Sequence, residues 1–144
     1  MSSMAWQKVK MSLSDNSVQP LIATNPSLIS ADIRDGFVAI KGWTELSDKD
    51  ILSFCQAIED VGVKTLICTD ISKDGLLGGT NMELYKSLRE KLMIKLIASG
   101  GVTSIDEIKT LTMIGMDGAI LGKALYAGSL TLADAIAAAS VMQN

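Results

Sequence analysis

Residues 95–107, KLIASGGVTSIDE, contain the transition that decides the fold. An apolar run ends at Ser99, two glycines follow, and Ser104 then stands three residues before Glu107. The run is typical of a buried strand, and a serine paired with a glutamate at this spacing forms a capping box that opens a helix. The segment therefore predicts a strand that passes through a tight glycine turn into a helix.

Three further segments repeat this strand-to-helix unit. Candidate strands lie at 28–32, 64–69, 95–99 and 118–122, and Gly62 and Gly115 are placed to end helices before the second and fourth of them. Each helix is preceded by a capping pair: Ser47 with Asp50, Thr80 with Glu83, Ser104 with Glu107, and Thr131 with Asp134. Such alternation favours an α/β fold in which four βα units contribute parallel strands.

Composition limits the class of protein. With 144 residues, 48% of them hydrophobic, the chain has enough apolar material for one core, which we assign to residues 28–144; residues 1–27 break the pattern and stay unassigned. The 13 basic residues are scattered among 16 acidic ones, so we expect no nucleic-acid or membrane partner. No apolar run is long enough to span a bilayer and no secretory signal is visible, which predicts a cytoplasmic location.

The two cysteines do not indicate a metal site. Cys55 and Cys68 lie far apart in the sequence, and the chain has no histidine to join them. Buried free thiols are the favoured interpretation, and we expect no metal.

The ends of the strands hold the candidate functional residues, because the active site of a parallel α/β fold lies where strands end and helices begin. Asp32 ends the first strand and suits proton transfer, although a turn or capping role fits its local sequence equally well. Thr69 and Asp70 end the second strand. They suit substrate positioning, and the alternative is that they order the loop that follows.

Glycines at the ends of the third and fourth strands predict a phosphate site. Gly100 and Gly101 follow one strand and Gly122 follows the next, so that backbone N–H groups can approach an anion. The alternative is that the glycines only form tight turns, and their pairing on adjacent strands favours the phosphate site. Lys123 either adds a charge to the anion or starts a helix in solvent.

Two loops are candidates for contact with a ligand. The loop 72–81 contains Gly75, Gly78 and Gly79, which predicts enough freedom to fold over a bound molecule. Trp43, in the long loop after the first strand, suits stacking on a substrate ring; covering the core is the alternative.

Taken together, these segments resemble the C-terminal half of the phosphoribosylformimino-5-aminoimidazole carboxamide ribotide isomerases of histidine biosynthesis. The resemblance covers residues 28 to 142 and is carried, in the family's order, by DIRDG (32–36), KGW (41–43), CTDISKDG (68–75), ASGGV (98–102) and GKALY (122–126). It implies half of a TIM-type (βα) barrel. It also implies an Amadori rearrangement of a bis-phosphorylated ribotide, with no cofactor.

The resemblance assigns roles to individual residues. Asp32 corresponds to the acid/base aspartate of the fifth strand and Thr69 to the assisting threonine of the sixth. Gly101, Gly122 and Lys123 fall where the family binds one of two substrate phosphates, and Trp43 falls on the loop that contacts the substrate. We add Asp70, Gly75 and Gly100 as predicted substrate- or phosphate-binding residues.

The departures from the family concern the missing half and one loop. The first four βα units are absent, with the partner aspartate and the second phosphate site, so we expect little activity from this half alone. Leu76 and Thr80 stand where the family usually has threonine and proline, which puts phosphate contacts from that loop in doubt. Uncovered strand edges predict association as a homodimer or with a complementary N-terminal half.

Two other functions remain open at this point. One is a non-catalytic phosphate-binding half-barrel scaffold. The other is the related cyclase, imidazole glycerol phosphate synthase, which shares the barrel and its phosphate glycines but ends its sixth and eighth strands differently.

Overall fold

In a computed structural model, which describes residues 28–74 and 76–140, a sheet lies against a layer of helices. The six strands take the order β3-β2-β1-β4-β5-β6 across the sheet. Their bounds are β1 Leu28–Arg34, β2 Phe37–Ile40, β3 Glu45–Asp50, β4 Thr65–Asp70, β5 Lys95–Ser99 and β6 Gly118–Ala119. The helices are α1 Ile51–Asp60, α2 Met82–Lys91, α3 Ile105–Ile114, α4 Lys123–Tyr126 and α5 Leu132–Ser140.

The parallel part of the sheet matches the four predicted units. β1, β4, β5 and β6 pair in parallel. A helix follows β4, β5 and β6 directly and follows β1 after the strands β2 and β3, which is the arrangement of a partial TIM-type barrel. The prediction for 118–122 was too long, since β6 covers only two residues. The last bond to the neighbouring strand is donated by Ile120 N to Ala98 O at 2.8 Å, and Gly122 then caps α4.

An antiparallel hairpin, β2–β3, occupies what the sequence predicted as a long loop after the first strand. β2 pairs with the end of β1 across a two-residue turn at Asp35 and Gly36, whose φ angles are 54° and 81°. An Asp-Gly pair with both φ positive is the preferred two-residue connection of a hairpin. The Asp35-Gly36 pair in the sequence therefore signalled the hairpin. The hairpin extends the sheet beyond β1.

The two faces of the parallel sheet differ in burial. Leu66, Cys68, Leu96 and Ala98 are buried with the helices, while their alternating neighbours in the same strands are partly buried or exposed. Tyr85 of α2 is among the largest fully buried side chains. Both cysteines are buried, as predicted. One hydrophobic core therefore lies between sheet and helices, and the other face of the sheet stays half open.

Two of the four predicted capping boxes are wrong. Asp50 itself caps α1 and accepts from Ser53 N, while Ser47 lies within β3, and Asn81 instead of Thr80 caps α2. The pair of Ser104 and Glu107 is confirmed as a full capping box. Thr131 accepts a hydrogen bond from Asp134 N at 3.1 Å ahead of α5. Gly115 ends α3 with a φ of 93°, as predicted.

Two sets of predictions fall outside the structural description. Residues 1–27 and Gly75 are not among the described residues. Within 28–74 and 76–140, no helix is long and apolar enough to cross a membrane.

Candidate functional site

Asp32, Thr69 and Ser99 form a row across the half-open face of the sheet. Asp32 pairs in register with Thr69, and Thr69 with Ser99, and all three are partly buried. Side chains paired in register on neighbouring strands point to the same face, and strands lie about 4.8 Å apart. The three side chains therefore lie side by side within roughly 10 Å. Ser99 was not predicted as a site residue, although its place at the end of the third strand was visible in the sequence.

Trp43 contacts the Asp32 end of this row. Its indole Nε1 donates to Asp32 Oδ2 at 2.7 Å. The tryptophan sits in the turn between β2 and β3, where Lys41, Gly42 and Trp43 have φ angles of 51°, 64° and 73°. Three successive residues in the left-handed region are costly for non-glycine side chains. The hairpin thus brings the two predicted site residues together, and Trp43 remains 43% exposed.

Asp70 belongs to the opposite face of β4. It is only 4% exposed, and its Oδ1 accepts from Ser72 N at 2.9 Å and from the Ser72 hydroxyl. Its Oδ2 accepts from Asn81 Nδ2 at 2.6 Å. Neighbouring residues of a strand point to opposite faces, so Asp70 lies away from Asp32 and Thr69. Its hydrogen bonds fit the alternative stated above, in which this carboxylate orders the loop that follows.

The predicted phosphate residues surround one small cavity of about 60 Å³. The residues that line it come from the loops after β4, β5 and β6: Asp74, Leu77, Ser99, Gly100, Gly101, Val102, Thr103, Ile120, Gly122, Lys123 and Ala124. Ser99 belongs both to this lining and to the row with Asp32. The cavity therefore opens beside the half-open face instead of forming a separate site.

Glycine is sterically required at some positions around the cavity and not at others. At Gly100 an added Cβ would lie 2.6 Å from Asp70 O, and at Gly101 it would lie 2.5 Å from Gly79 O. Both also have positive φ, so the backbone itself demands glycine there. At Gly122 an added Cβ would meet nothing within 4 Å. The space beside Gly122 is thus open to a ligand.

The loop after β4 packs against the turn after β5. Thr80 donates its hydroxyl to Gly100 O at 2.7 Å and its N–H to Glu107 Oε1 at 2.6 Å. Proline could make neither bond, because it lacks both the N–H and the hydroxyl. Leu76 is largely exposed, while Leu77 lines the cavity. The residue that departs from the family pattern at position 80 therefore fixes the loop by hydrogen bonds.

Tyr85 supports both strand ends from the helix side. Its hydroxyl lies 2.5 Å from Ser99 O and 3.1 Å from Cys68 O, either of which can accept its proton, and it accepts from Ser99 N at 3.1 Å. Burial raises the pKa of this phenol well above its ordinary value, and the nearby Cys68 raises it further. The hydroxyl is therefore held neutral as a structural link between β4 and β5. Sequence reasoning missed it, because a tyrosine in a helical pattern carries no sign of what it contacts.

The chain thus presents the class of a parallel α/β half-barrel with a row of polar side chains beside a glycine-lined cavity at the carboxyl ends of its strands. Sequence comparison identifies the family: the profile of the histidine biosynthesis protein family matches residues 14–131, and the chain belongs to this family.

Two curated relatives indicate which members of the family this chain is similar to. A protein of Brachyspira hyodysenteriae is 50% identical over 104 residues, which are 72% of this chain and 44% of that protein. One from Clostridioides difficile is 46% identical over 99 residues, covering 69% of this chain and 41% of that protein. Both are named 1-(5-phosphoribosyl)-5-((5-phosphoribosylamino)methylideneamino)imidazole-4-carboxamide isomerase. The chain spans less than half the length of these curated relatives, and its matched residues belong to their C-terminal part.

Proposed function

We propose that this chain is the C-terminal part of an aldose–ketose isomerase of histidine biosynthesis. The reaction is an Amadori rearrangement, in which the ribose ring of a phosphoribosyl aminoaldose opens and becomes an aminoketose. The proposal is carried by one observation, the row of Asp32, Thr69 and Ser99 that leads across the sheet to the glycine-lined cavity. A phosphate seated in the cavity would leave the attached sugar over this row.

Asp32 is the proposed general acid/base. The ring opens as its oxygen receives a proton, and a proton is then removed from the sugar carbon next to the reacting carbon. The hydroxyl on that neighbouring carbon loses its proton to become the ketone, and the reacting carbon receives a proton. A carboxylate that is partly buried and exposed to the half-open face can exchange such protons. Trp43, already bonded to this carboxylate, is positioned to cover the sugar or the ring attached to it. Thr69, next to Asp32 in register, assists through its hydroxyl.

The cavity is the proposed site for one phosphate of the substrate. Gly122 leaves open space in which a ligand can approach the backbone, Gly101 forms the turn in the wall of the cavity, and Lys123 supplies a positive charge in the lining. The second substrate phosphate requires groups that these residues do not provide. We expect substrate turnover to need a complementary half, since one positioned proton donor or acceptor contributes roughly 10²–10⁴ in rate.

A chimera tests the catalytic assignment. The part of the Brachyspira relative that this chain does not match is joined in front of residue 28, and the product is assayed for isomerase turnover. We expect turnover that falls roughly 10²–10⁴-fold on Asp32→Asn. Asp35→Asn is the matched control, because it makes the same change three residues later in an exposed turn. Equal activity of the Asp32 and Asp35 variants would show that Asp32 is not the acid/base residue.

We propose further that the half-open face associates with another half-barrel. Ile67 and Ile97 lie on this face, only partly buried, and β6 has one partner strand within the described residues. Light scattering of the purified chain at twice the monomer mass would support a homodimer. A monomer that binds the N-terminal part of the Brachyspira relative would support a complementary half, and a monomer that binds neither would refute both.

A non-catalytic phosphate-binding protein is the second candidate, favoured by the cavity alone. Binding of inorganic phosphate by the chain, together with a chimera that shows no turnover, would support it over the isomerase.

A further inference from the structure

Glu107 receives hydrogen bonds from two separate parts of the chain. Its Oε2 accepts from Thr103 N at 2.8 Å, from the Thr103 hydroxyl at 2.9 Å and from Ser104 N at 3.1 Å, all at the start of its own helix. Its Oε1 accepts from Thr80 N at 2.6 Å, 27 residues earlier in the sequence. Capping of α3 uses Oε2, so the bond at Oε1 serves another purpose.

The loop held by Glu107 is tightly packed where the bond forms. Thr80 makes its second bond to Gly100 O, and the carbonyl of Gly79 lies against Gly101, where an added Cβ would come within 2.5 Å of it. An added Cβ on Gly79 would lie 3.0 Å from Glu107 Oε1. The loop after β4 and the turn after β5 therefore form one packed unit with the Glu107 carboxylate bridging them.

The two segments that Glu107 joins are also two walls of the cavity. Asp74 and Leu77 come from the loop after β4, while Gly101 and Thr103 come from the turn after β5. Glu107 itself is not part of the lining, so it would act on a ligand through these walls. Because the N–H and hydroxyl donors already occupy its carboxylate, its charge is partly compensated before an anion binds.

We propose that Glu107 is a positioning residue for anion binding, which holds residues 76–81 against the Gly100–Gly101 turn so that the cavity exists before the anion enters. The inference rests on the proposed phosphate site. It differs from a capping role because it assigns a function to the contact between Glu107 Oε1 and Thr80 N. A cavity assembled in advance binds more tightly, since no loop must be ordered at the moment of binding.

The test uses the full chain, inorganic phosphate as the probe, and amide signals in nuclear magnetic resonance. In Glu107→Gln the side chain keeps a single acceptor oxygen, so it cannot bind both the start of α3 and Thr80 N. We expect hydrogen exchange at the Thr80 amide to accelerate roughly tenfold and the phosphate dissociation constant to rise roughly tenfold, while core amides of β4 keep their protection. If Glu107 only stabilised the fold, Glu107→Gln would instead weaken protection from hydrogen exchange throughout the sheet.

Asp106→Asn is the matched control. It removes the same charge from the same turn of α3, but its side chain is 94% exposed and contacts only Lys109 at 3.8 Å among the described ion pairs. Phosphate affinity should stay within about twofold of the unchanged chain. If Glu107→Gln destabilises α3 too far, Thr80→Pro removes the N–H that donates to Glu107 Oε1 and leaves the Ser104 cap intact. Phosphate affinity should then fall further than in Thr80→Val, which loses only the hydroxyl bond to Gly100 O, and equal affinities of the two variants would overturn the positioning role.

The outcomes separate this inference from the proposed function. No phosphate-dependent change at Gly101, Gly122 or Lys123 in the unchanged chain would overturn the phosphate site, and the inference with it. Phosphate binding that Glu107→Gln leaves unaltered, despite faster exchange at Thr80, would overturn the positioning role alone.

Discussion

The two ends of the parallel sheet are built on different principles. At the amino end, Arg89 Nη2 donates to Leu92 O and to Ile94 O at 2.9 Å, and its Nη1 donates to Asp117 at 3.2 Å. Asp117 also accepts from Leu96 N at 2.9 Å. These groups satisfy one another and link α2 to the turns before β5 and β6. The amino end therefore serves stability.

The carboxyl end holds the costly conformations. All four non-glycine residues with positive φ among the described residues lie in segments that follow β1 or β4: Asp35, Lys41, Trp43 and Leu77. Strained backbone of this kind costs about 1–3 kcal/mol per residue and is typical of functional sites. The amino end of the sheet therefore stabilises the fold, and the carboxyl end contains the strained backbone that lowers stability.

Gly101→Ala should have the largest effect on stability, because it adds a Cβ within the packed turn at the carboxyl end of the sheet. The left-handed backbone and the approach to Gly79 O should together cost about 3 kcal/mol of unfolding free energy, measured by urea denaturation. Gly128→Ala is the control, since its φ of 74° nearly equals the 76° of Gly101 but an added Cβ meets nothing within 4 Å. It should cost about 1 kcal/mol. Equal losses would show that close packing at Gly101 is unimportant.

Arg89→Met tests the amino end. Loss of the guanidinium leaves carbonyl groups of the turn before β5 without a donor, which should cost about 2 kcal/mol of unfolding free energy. Lys86→Met, at an exposed position of the same helix, should change stability by less than about 0.5 kcal/mol. Phosphate affinity should not change in either variant, and a loss of affinity in Arg89→Met would break the proposed division between the two ends.

Tyr85→Phe tests the link between the core and the carboxyl end. Without the hydroxyl, the Ser99 N–H loses its acceptor, and unfolding free energy should fall by about 1–2 kcal/mol in urea denaturation. Tyr126→Phe makes the same change on a side chain that is 93% exposed and should have no measurable effect. Similar stability of both variants would mean that the buried hydroxyl contributes nothing.

The smallest expected effect is on the pH dependence of the unfolding free energy. Burial raises the pKa of Glu107, but hydrogen bonds from Thr103, Thr80 and Ser104 outweigh it, and the pKa lies below the ordinary 4.5. A carboxyl group with a depressed folded pKa stabilises the protein above its ordinary pKa, and that stabilisation is lost as pH falls through the folded value. Unfolding free energy measured from about pH 6 to pH 3 should therefore decline less steeply in Glu107→Gln than in Asp106→Asn. Parallel curves would contradict the depressed pKa.

Local patterns predicted most of the scaffold. The strand at 95–99, the capping box at Ser104 and the helix end at Gly115 follow from short-range rules and are confirmed. The boxes assigned to Ser47 and Thr80 are wrong because sheet pairing and loop packing use those residues elsewhere. The hairpin after β1 was signalled by Asp35-Gly36 and missed, because the segment was interpreted only as a loop.

The sequence by itself determined the βα order, the parallel strands and the residues at each strand end, since these depend on side-chain periodicity and turn chemistry along neighbouring positions. Only the tertiary structure decided which of those residues meet. Register placed Asp32, Thr69 and Ser99 in one row and turned Asp70 to the other face, and loop packing brought Thr80 to Glu107. Such contacts join residues distant in sequence, and their geometry is set by the packing of the whole sheet.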